Sequence, residues 1–321
     1  MKKSEKIIKA LYPIRLWFSP AKKQRLPCHA HGAEAAQRIE HALQRAQACM
    51  IARFGATELA GMMCVRDVEA QLPSWLKCWK VFRGEMRSVH AINTRIRHHM
   101  ADWSGFFPTT DDALIRFTRL MEHDAQELDV LGSWLAEEVR IQNLFPHACI
   151  IPIESILYPF LQERPWTCAL EGKKVLVIHP FETSIRQQYE KRQVLYGGKP
   201  VFPTCELSTL PAVQSLRGEH AHFQNWFDAL DWMKRACDQR DFDVALIGAG
   251  AYGFPLAAHI KRSGRKAVHV GGALQLFFGI MGNRWQEDPR VQPFVNEHWT
   301  RPLINETPRD LKTLESGGCY W

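Results

Sequence analysis

The stretch from Asp243 to Trp285 constrains this chain more than any other. An apolar β-type run, Val244–Ile247, enters the turn Gly248-Ala249-Gly250-Ala251-Tyr252-Gly253. A helical run leaves the turn through Phe254–Arg262, and a second β-type run, Lys266–Val270, follows. Strand, glycine turn, helix and strand in this order form a βαβ unit, which commits the chain to a parallel sheet with helices packed on it. The glycines let the backbone turn tightly and come close to a ligand. A helix starting near Ala251 aims its free N–H groups at the same spot, which suits a diphosphate. The same turn also occurs where a helix merely packs close to a strand. A dinucleotide-dependent enzyme sets an acid about 20 residues past the first glycine to hold the ribose hydroxyls. Here that place reads His269-Val270-Gly271-Gly272, so a nucleotide diphosphate other than NAD(P) is favoured.

Two further apolar runs deliver polar residues in the same manner. Met50–Ala52 passes through Arg53-Phe54-Gly55 into Thr57-Glu58 and a helical run, with Thr57 the expected N-cap. Arg53 and Glu58 are charges beside an apolar strand, and they either pair with each other or reach a ligand. Lys173–Ile178 is the clearest buried strand; it ends in His179-Pro180-Phe181 and a helix expected to reach about Leu195. Thr183 and Ser184 stand at its start, placed to cap it or to touch phosphate. His179 fits a base, a phosphate ligand or a satisfied structural histidine. Strand C-terminal ends are where open α/β sheets bind ligands. Hydrophobic spacing predicts further helices over 33–49, 111–128, 154–162 and 222–239, and strands near 130–134, 148–153 and 200–208. The fold expected is α/β: a doubly wound, mainly parallel, Rossmann-like sheet with a helical insertion over about 73–128. Residues 31–321 read as one domain, with a possible internal boundary near residue 165 where the composition turns polar.

The charge has a location. Residues 1–25 hold eight basic residues and one acid, whereas the remainder balances. The chain is thus a basic N-terminal arm, residues 1–30, on a neutral body. Apolar residues interleave the arm (Ile7, Ile8, Leu11, Leu16, Trp17, Phe18), so it suits either solvent, packing on the body or a peripheral contact with an anionic membrane. A neutral body argues against nucleic acid. No run of about 18 apolar residues is present. Nine cysteines without a C-x-x-C pair fit reduced thiols in a cytoplasmic protein.

The ordered segments Arg53–Glu58, Gly105–Pro108, Val175–Phe181, Asp243–Gly253, Val270–Trp285 and Gly317–Trp321 resemble a family of bacterial proteins encoded with capsule, lipopolysaccharide and other surface-glycan genes. That family looks related to the glycosyltransferases of the GT-D fold. The resemblance implies transfer of a sugar from a nucleotide-diphosphate donor to a glycan or lipid-linked acceptor. It also implies an Arg-Phe-Gly-Asp-x-Glu segment whose two acids hold a divalent metal, Mg2+ or Mn2+. Here that segment is Arg53-Phe54-Gly55-Ala56-Thr57-Glu58: Glu58 matches the second acid and would be the metal ligand, while Ala56 replaces the first and leaves metal dependence open. On this reading Glu58 or His179 is the catalytic base. Arg53, Gly55, Thr183, Ser184, Gly248, Gly250, Tyr252, Gly253, Gly271 and Gly272 hold the donor, and Gln275, Arg284 and Trp285 shape its pocket. No NAD is expected. Two alternatives stay open: an NAD(P)-dependent oxidoreductase or epimerase on nucleotide sugars, and a non-catalytic nucleotide-sugar-binding protein, to which Ala56 points.

Overall fold

A computed structural model describes residues 25–215, 222–307 and 318–321; the basic arm, apart from Arg25, lies outside the described residues. Seven strands form one parallel sheet: β1 (Cys49–Ala52), β2 (Val130–Ser133), β3 (Cys149–Pro152), β4 (Lys174–Ile178), β5 (Glu206–Leu210), β6 (Val244–Ile247) and β7 (Lys266–His269). Their order is β3-β2-β1-β7-β6-β4-β5, and every pairing is parallel. Residues on either side of position 165 join in this one sheet, because β1 pairs with β7.

The strands are short, and the five inner ones are buried on both faces, as a parallel sheet covered by helices requires, whereas the edge strand β5 is largely half-exposed. Alternate side chains serve two cores. Met50, Ala52, Leu176, Ile178, Ala245 and Ile247 meet the helices α2 (Ala56–Glu69), α5 (Asp111–Ala125), α8 (Trp226–Asp238) and α9 (Gly253–Arg262). Cys49, Ile51, Val175, Val177, Val244 and Leu246 meet α1 (Gly32–Gln44), the short α6 (Glu154–Leu157), α7 (Glu182–Tyr189) and the 3-10 segment Gly272–Phe278. The sheet is therefore doubly wound. Between α2 and β2 lie α3 (Ser74–Phe82), α4 (Thr94–Asp102) and α5, where the helical insertion is expected.

Local chemistry moves several boundaries. The helix expected over 154–162 stops at Leu157 and resumes as a 3-10 turn, Pro159–Leu161, because Pro159 has no N–H to continue the ladder. The helix after β4 ends at Tyr189, short of Leu195, and the chain then passes Gly197 and Gly198, both at positive φ. Thr57 does not cap α2: the N-cap is Gly55, in extended conformation and without a side-chain bond.

Switch-point geometry sets where a ligand can enter. The loop after β4 leads outward to β5, whereas the loop after the neighbouring β6 leads back to β7. Loops that leave in opposite directions open a crevice at the carboxyl ends of the two strands. His179 and Gly248 are the residues that follow those ends.

Candidate functional site

A cavity of about 400 Å³ lies over the C-terminal edge of the sheet, and residues following all seven strands line it. Its floor is the glycine turn. Gly248 is obligatory there, since a Cβ would overlap the His179 ring and lie 2.9 Å from the Gly271 carbonyl oxygen. Gly250 takes φ +51°, a left-handed backbone that favours glycine.

Arg53 follows β1 and lies along the floor. Its guanidinium occupies the space that a Cβ on Gly271 would take. Of the two alternatives for Arg53 and Glu58, the mutual pair is not formed: among the described residues neither has an ion-pair partner. Glu58, in the first turn of α2, folds back over Gly55, where a Cβ would overlap its carboxylate. Both charged groups line the cavity.

His179 is buried against the turn, and burial pushes its pKa down to about 3. Its Nδ1 accepts the Phe181 N–H at 3.0 Å, so the proton of the neutral ring sits on Nε2. With the proton there, Nε2 can only donate, and the ring has no free lone pair for a base. This corrects the base role considered for His179 and leaves two of its expected roles, a phosphate ligand or a structural histidine. His269, at the end of β7, is also buried, and burial together with Arg53 holds its pKa well below the usual histidine value. Neither ring nitrogen of His269 has a partner among the described residues.

The remaining expected residues divide. Tyr252 lines the cavity, but its hydroxyl is engaged with Ser215 Oγ at 2.6 Å and its ring stacks on Trp226. Gly272, Gln275, Arg284 and Trp285 also line it. Gln275 donates to the carbonyls of Ile280 and Tyr320 at 3.1 and 3.0 Å, and Arg284 donates to the Tyr320 hydroxyl at 3.0 Å. These residues hold the C-terminal Cys319-Tyr320-Trp321 as a wall of the site. Gly253 and Gly271 are outside the cavity: Gly253 packs on His269 and Gly271 on Arg53.

Thr183 and Ser184 are outside it as well, contrary to the donor-binding expectation. The Thr183 N–H donates to Glu306 Oε1 at 2.7 Å, and the Ser184 hydroxyl also donates to Glu306. The positive end of α7 thus already holds a carboxylate. Glu306→Ala is expected to cost about 1–2 kcal/mol of stability, read by chemical denaturation; an unchanged midpoint would show that this cap contributes nothing.

Sequence spacing gave no warning of Ser104, Trp134, Tyr158 or Arg290, which complete the walls. Ser104 Oγ is buried without a partner among the described residues. Trp134 donates to the Phe54 carbonyl at 2.9 Å, fixing the segment that carries Arg53. Arg290 lies over the Tyr158 ring and pairs with Asp288 at 2.7 Å. Each comes from a loop brought in by tertiary structure, so only the rule that loops after parallel strands line the site could have found them.

Among the described residues no group of three or more His, Cys, Asp or Glu is placed to hold a metal ion, and no helix is long and apolar enough to cross a membrane. Comparison of the chain with family models, curated proteins and solved structures gives no match.

Proposed function

We propose that this protein is a glycosyltransferase that uses a nucleotide-diphosphate sugar. The supporting observation is the cavity floor. The Arg53 guanidinium, without an ion-pair partner among the described residues, the Nε2–H of neutral His179 and the backbone of the Gly248–Tyr252 turn line one cavity at the carboxyl edge of the sheet. Charge-assisted and neutral donors arranged around one place suit a diphosphate, in the ground state and as leaving group.

The acceptor is a glycan or a lipid-linked sugar. Its hydroxyl oxygen forms a bond to the anomeric carbon of the donor. The bond from that carbon to the diphosphate oxygen breaks, and the nucleoside diphosphate leaves with the electron pair. The acceptor proton passes to Glu58, a carboxylate in the cavity with no competing partner among the described residues. Arg53 and His179 stabilise the charge that develops on the diphosphate. Glu58 is also the one acid of the β1 turn that could ligate Mg2+ or Mn2+. Magnesium needs few protein ligands when phosphates and water supply the rest, and it would add charge neutralisation at the diphosphate.

The work of such a protein lies in bacterial surface-polysaccharide synthesis, in the cytoplasm or peripherally on the membrane. Incubation with a panel of nucleotide sugars, acceptor lipids and Mg2+ should release a nucleoside diphosphate. Glu58→Gln should lower that release by roughly 100-fold or more while leaving donor affinity within about threefold. Equal turnover by Glu58→Gln would remove Glu58 as base. Binding of NAD(P) in place of any nucleotide sugar would point to an oxidoreductase.

A further inference from the structure

Two residues of the cavity lining carry a buried polar atom without a hydrogen-bond partner among the described residues: Ser104, at Oγ, and Gln275, at Oε1. Gln275 is 0% exposed. Its other terminal atom is engaged twice, since Nε2 donates to the carbonyls of Ile280 and Tyr320 at 3.1 and 3.0 Å. Those two bonds settle the orientation of the amide. Turned over, it would set its oxygen against two carbonyl oxygens, none of which can donate. Oε1 is thus an acceptor and nothing else. Shut away from water and left without a donor, such an atom carries the penalty of an unmade hydrogen bond, and a ligand that brings an O–H or N–H removes it. Ser104 is less selective, because a hydroxyl both donates and accepts.

Position in the sheet tells which part of a donor molecule meets Gln275. The 3-10 segment Gly272–Phe278 that carries it follows β7. Strand β7 lies between β1, whose loop leads to Glu58, and β6, whose loop is the glycine turn. Beyond β6 come β4 and β5, after which Val213, Gln214 and Ser215 line the cavity on its other side. With the diphosphate on the glycine turn, the reacting carbon has to lie toward Glu58, within reach of the proton that Glu58 takes. The sugar then occupies the β7–β1 side and the nucleoside the β4–β5 side, where Ser104 borders the turn at Gly250. Beside Gln275 the wall is aromatic: the Tyr320 ring takes the space that a Cβ on Gly272 would fill, and Trp285 packs 5.9 Å from it. We infer that Gln275 Oε1 accepts a hydrogen bond from one hydroxyl of the transferred sugar and so selects the sugar, an inference that rests on the proposed glycosyl transfer.

Calorimetric titration of the full chain with UDP, GDP, ADP, CDP and dTDP, each alone and joined to glucose, galactose or mannose, finds the conjugate that binds. That conjugate is then titrated with one sugar hydroxyl removed at a time. Loss of one particular hydroxyl should weaken binding to the wild type by roughly 10- to 100-fold, because Oε1 is again left without a donor. In Gln275→Met, whose side chain is similar in length and accepts no strong hydrogen bond, the same loss should cost less than about threefold. If Gln275→Met does not fold, the wild-type series decides alone. Three results would overturn the inference while leaving the transferase reading in place: no single hydroxyl matters in the wild type, the penalty persists in Gln275→Met, or Gln275→Met weakens the bare nucleoside diphosphate as much as its sugar conjugate, which would put the nucleoside at Gln275. Failure of every nucleotide and conjugate to bind ends the transferase reading and the inference together.

Discussion

Trp226→Ala is expected to destabilise the fold by about 3–5 kcal/mol, as loss of a fully buried indole does. Trp226 is 0% exposed at the start of α8. Its ring stacks on Tyr252 at 4.8 Å and packs edge-on against Phe117 at 5.3 Å, with Phe106 and Phe227 closing the cluster. Its backbone N–H donates to the Phe107 carbonyl at 2.7 Å. Because Tyr252 ends the glycine turn, a hole behind it loosens the cavity floor as well as the core. Trp226→Phe should cost much less. It keeps most of the apolar area, and the indole N–H it removes is buried without a partner among the described residues. Urea denaturation of the three proteins measures this; a loss below about 1 kcal/mol for Trp226→Ala would show that the cluster repacks.

Acid is the second large perturbation. His179 and His269 are buried and neutral, with pKa values driven below the ordinary 6.5. The unfolded chain takes up a proton at each ring below pH 6.5, and the folded chain does not until far lower. Stability is therefore complete above pH 6.5 and falls as pH drops, by about 1.4 kcal/mol per pH unit for each ring. For His179 the loss continues to about pH 3. Glu138 works in the opposite sense: burial lifts its carboxyl to about 7, so acid relieves an unfavourable buried charge. The His179 contribution is isolated by His179→Asn, whose side-chain oxygen can still accept the Phe181 N–H. Denaturation at pH 7, 5.5 and 4.5 should show a shallower acid loss in this variant by about 1.4 kcal/mol per unit. Identical slopes in both proteins would mean that the ring is protonated in the folded state.

These two perturbations reach the part of the site that sequence spacing could not supply. The βαβ unit was legible because its signals are local: a four-residue apolar strand, a turn rich in glycine and a helix in immediate succession. The same holds for β4, whose alternate residues Val175, Leu176, Val177 and Ile178 serve both faces of the sheet. Arg53, Glu58, His179 and the Gly248–Tyr252 turn come together as strand-end residues should. Roles set by distant partners were not legible. Thr183 and Ser184 read as helix caps or phosphate contacts until Glu306, more than a hundred positions away, fills the helix end. His179 reads as a base until the Phe181 amide claims Nδ1. Gly253 and Gly271 read as ligand contacts, whereas their missing Cβ atoms admit His269 and Arg53.

The central claim is that the cavity floor holds a diphosphate. Thermal denaturation with nucleoside diphosphates and nucleotide sugars, with and without Mg2+, tests it most directly in the wild type and Arg53→Ala. A ligand at about 100 times its dissociation constant adds about 2.7 kcal/mol to the folded state, a rise of several degrees for a chain of this size. The account predicts that rise for one nucleoside diphosphate and its sugar conjugates. It also predicts that Arg53→Ala loses affinity by roughly 100-fold, as removal of a charge-assisted phosphate contact does, each protein's rise being read from its own ligand-free melting temperature. No rise with any nucleotide, or an equal rise in Arg53→Ala, would contradict it.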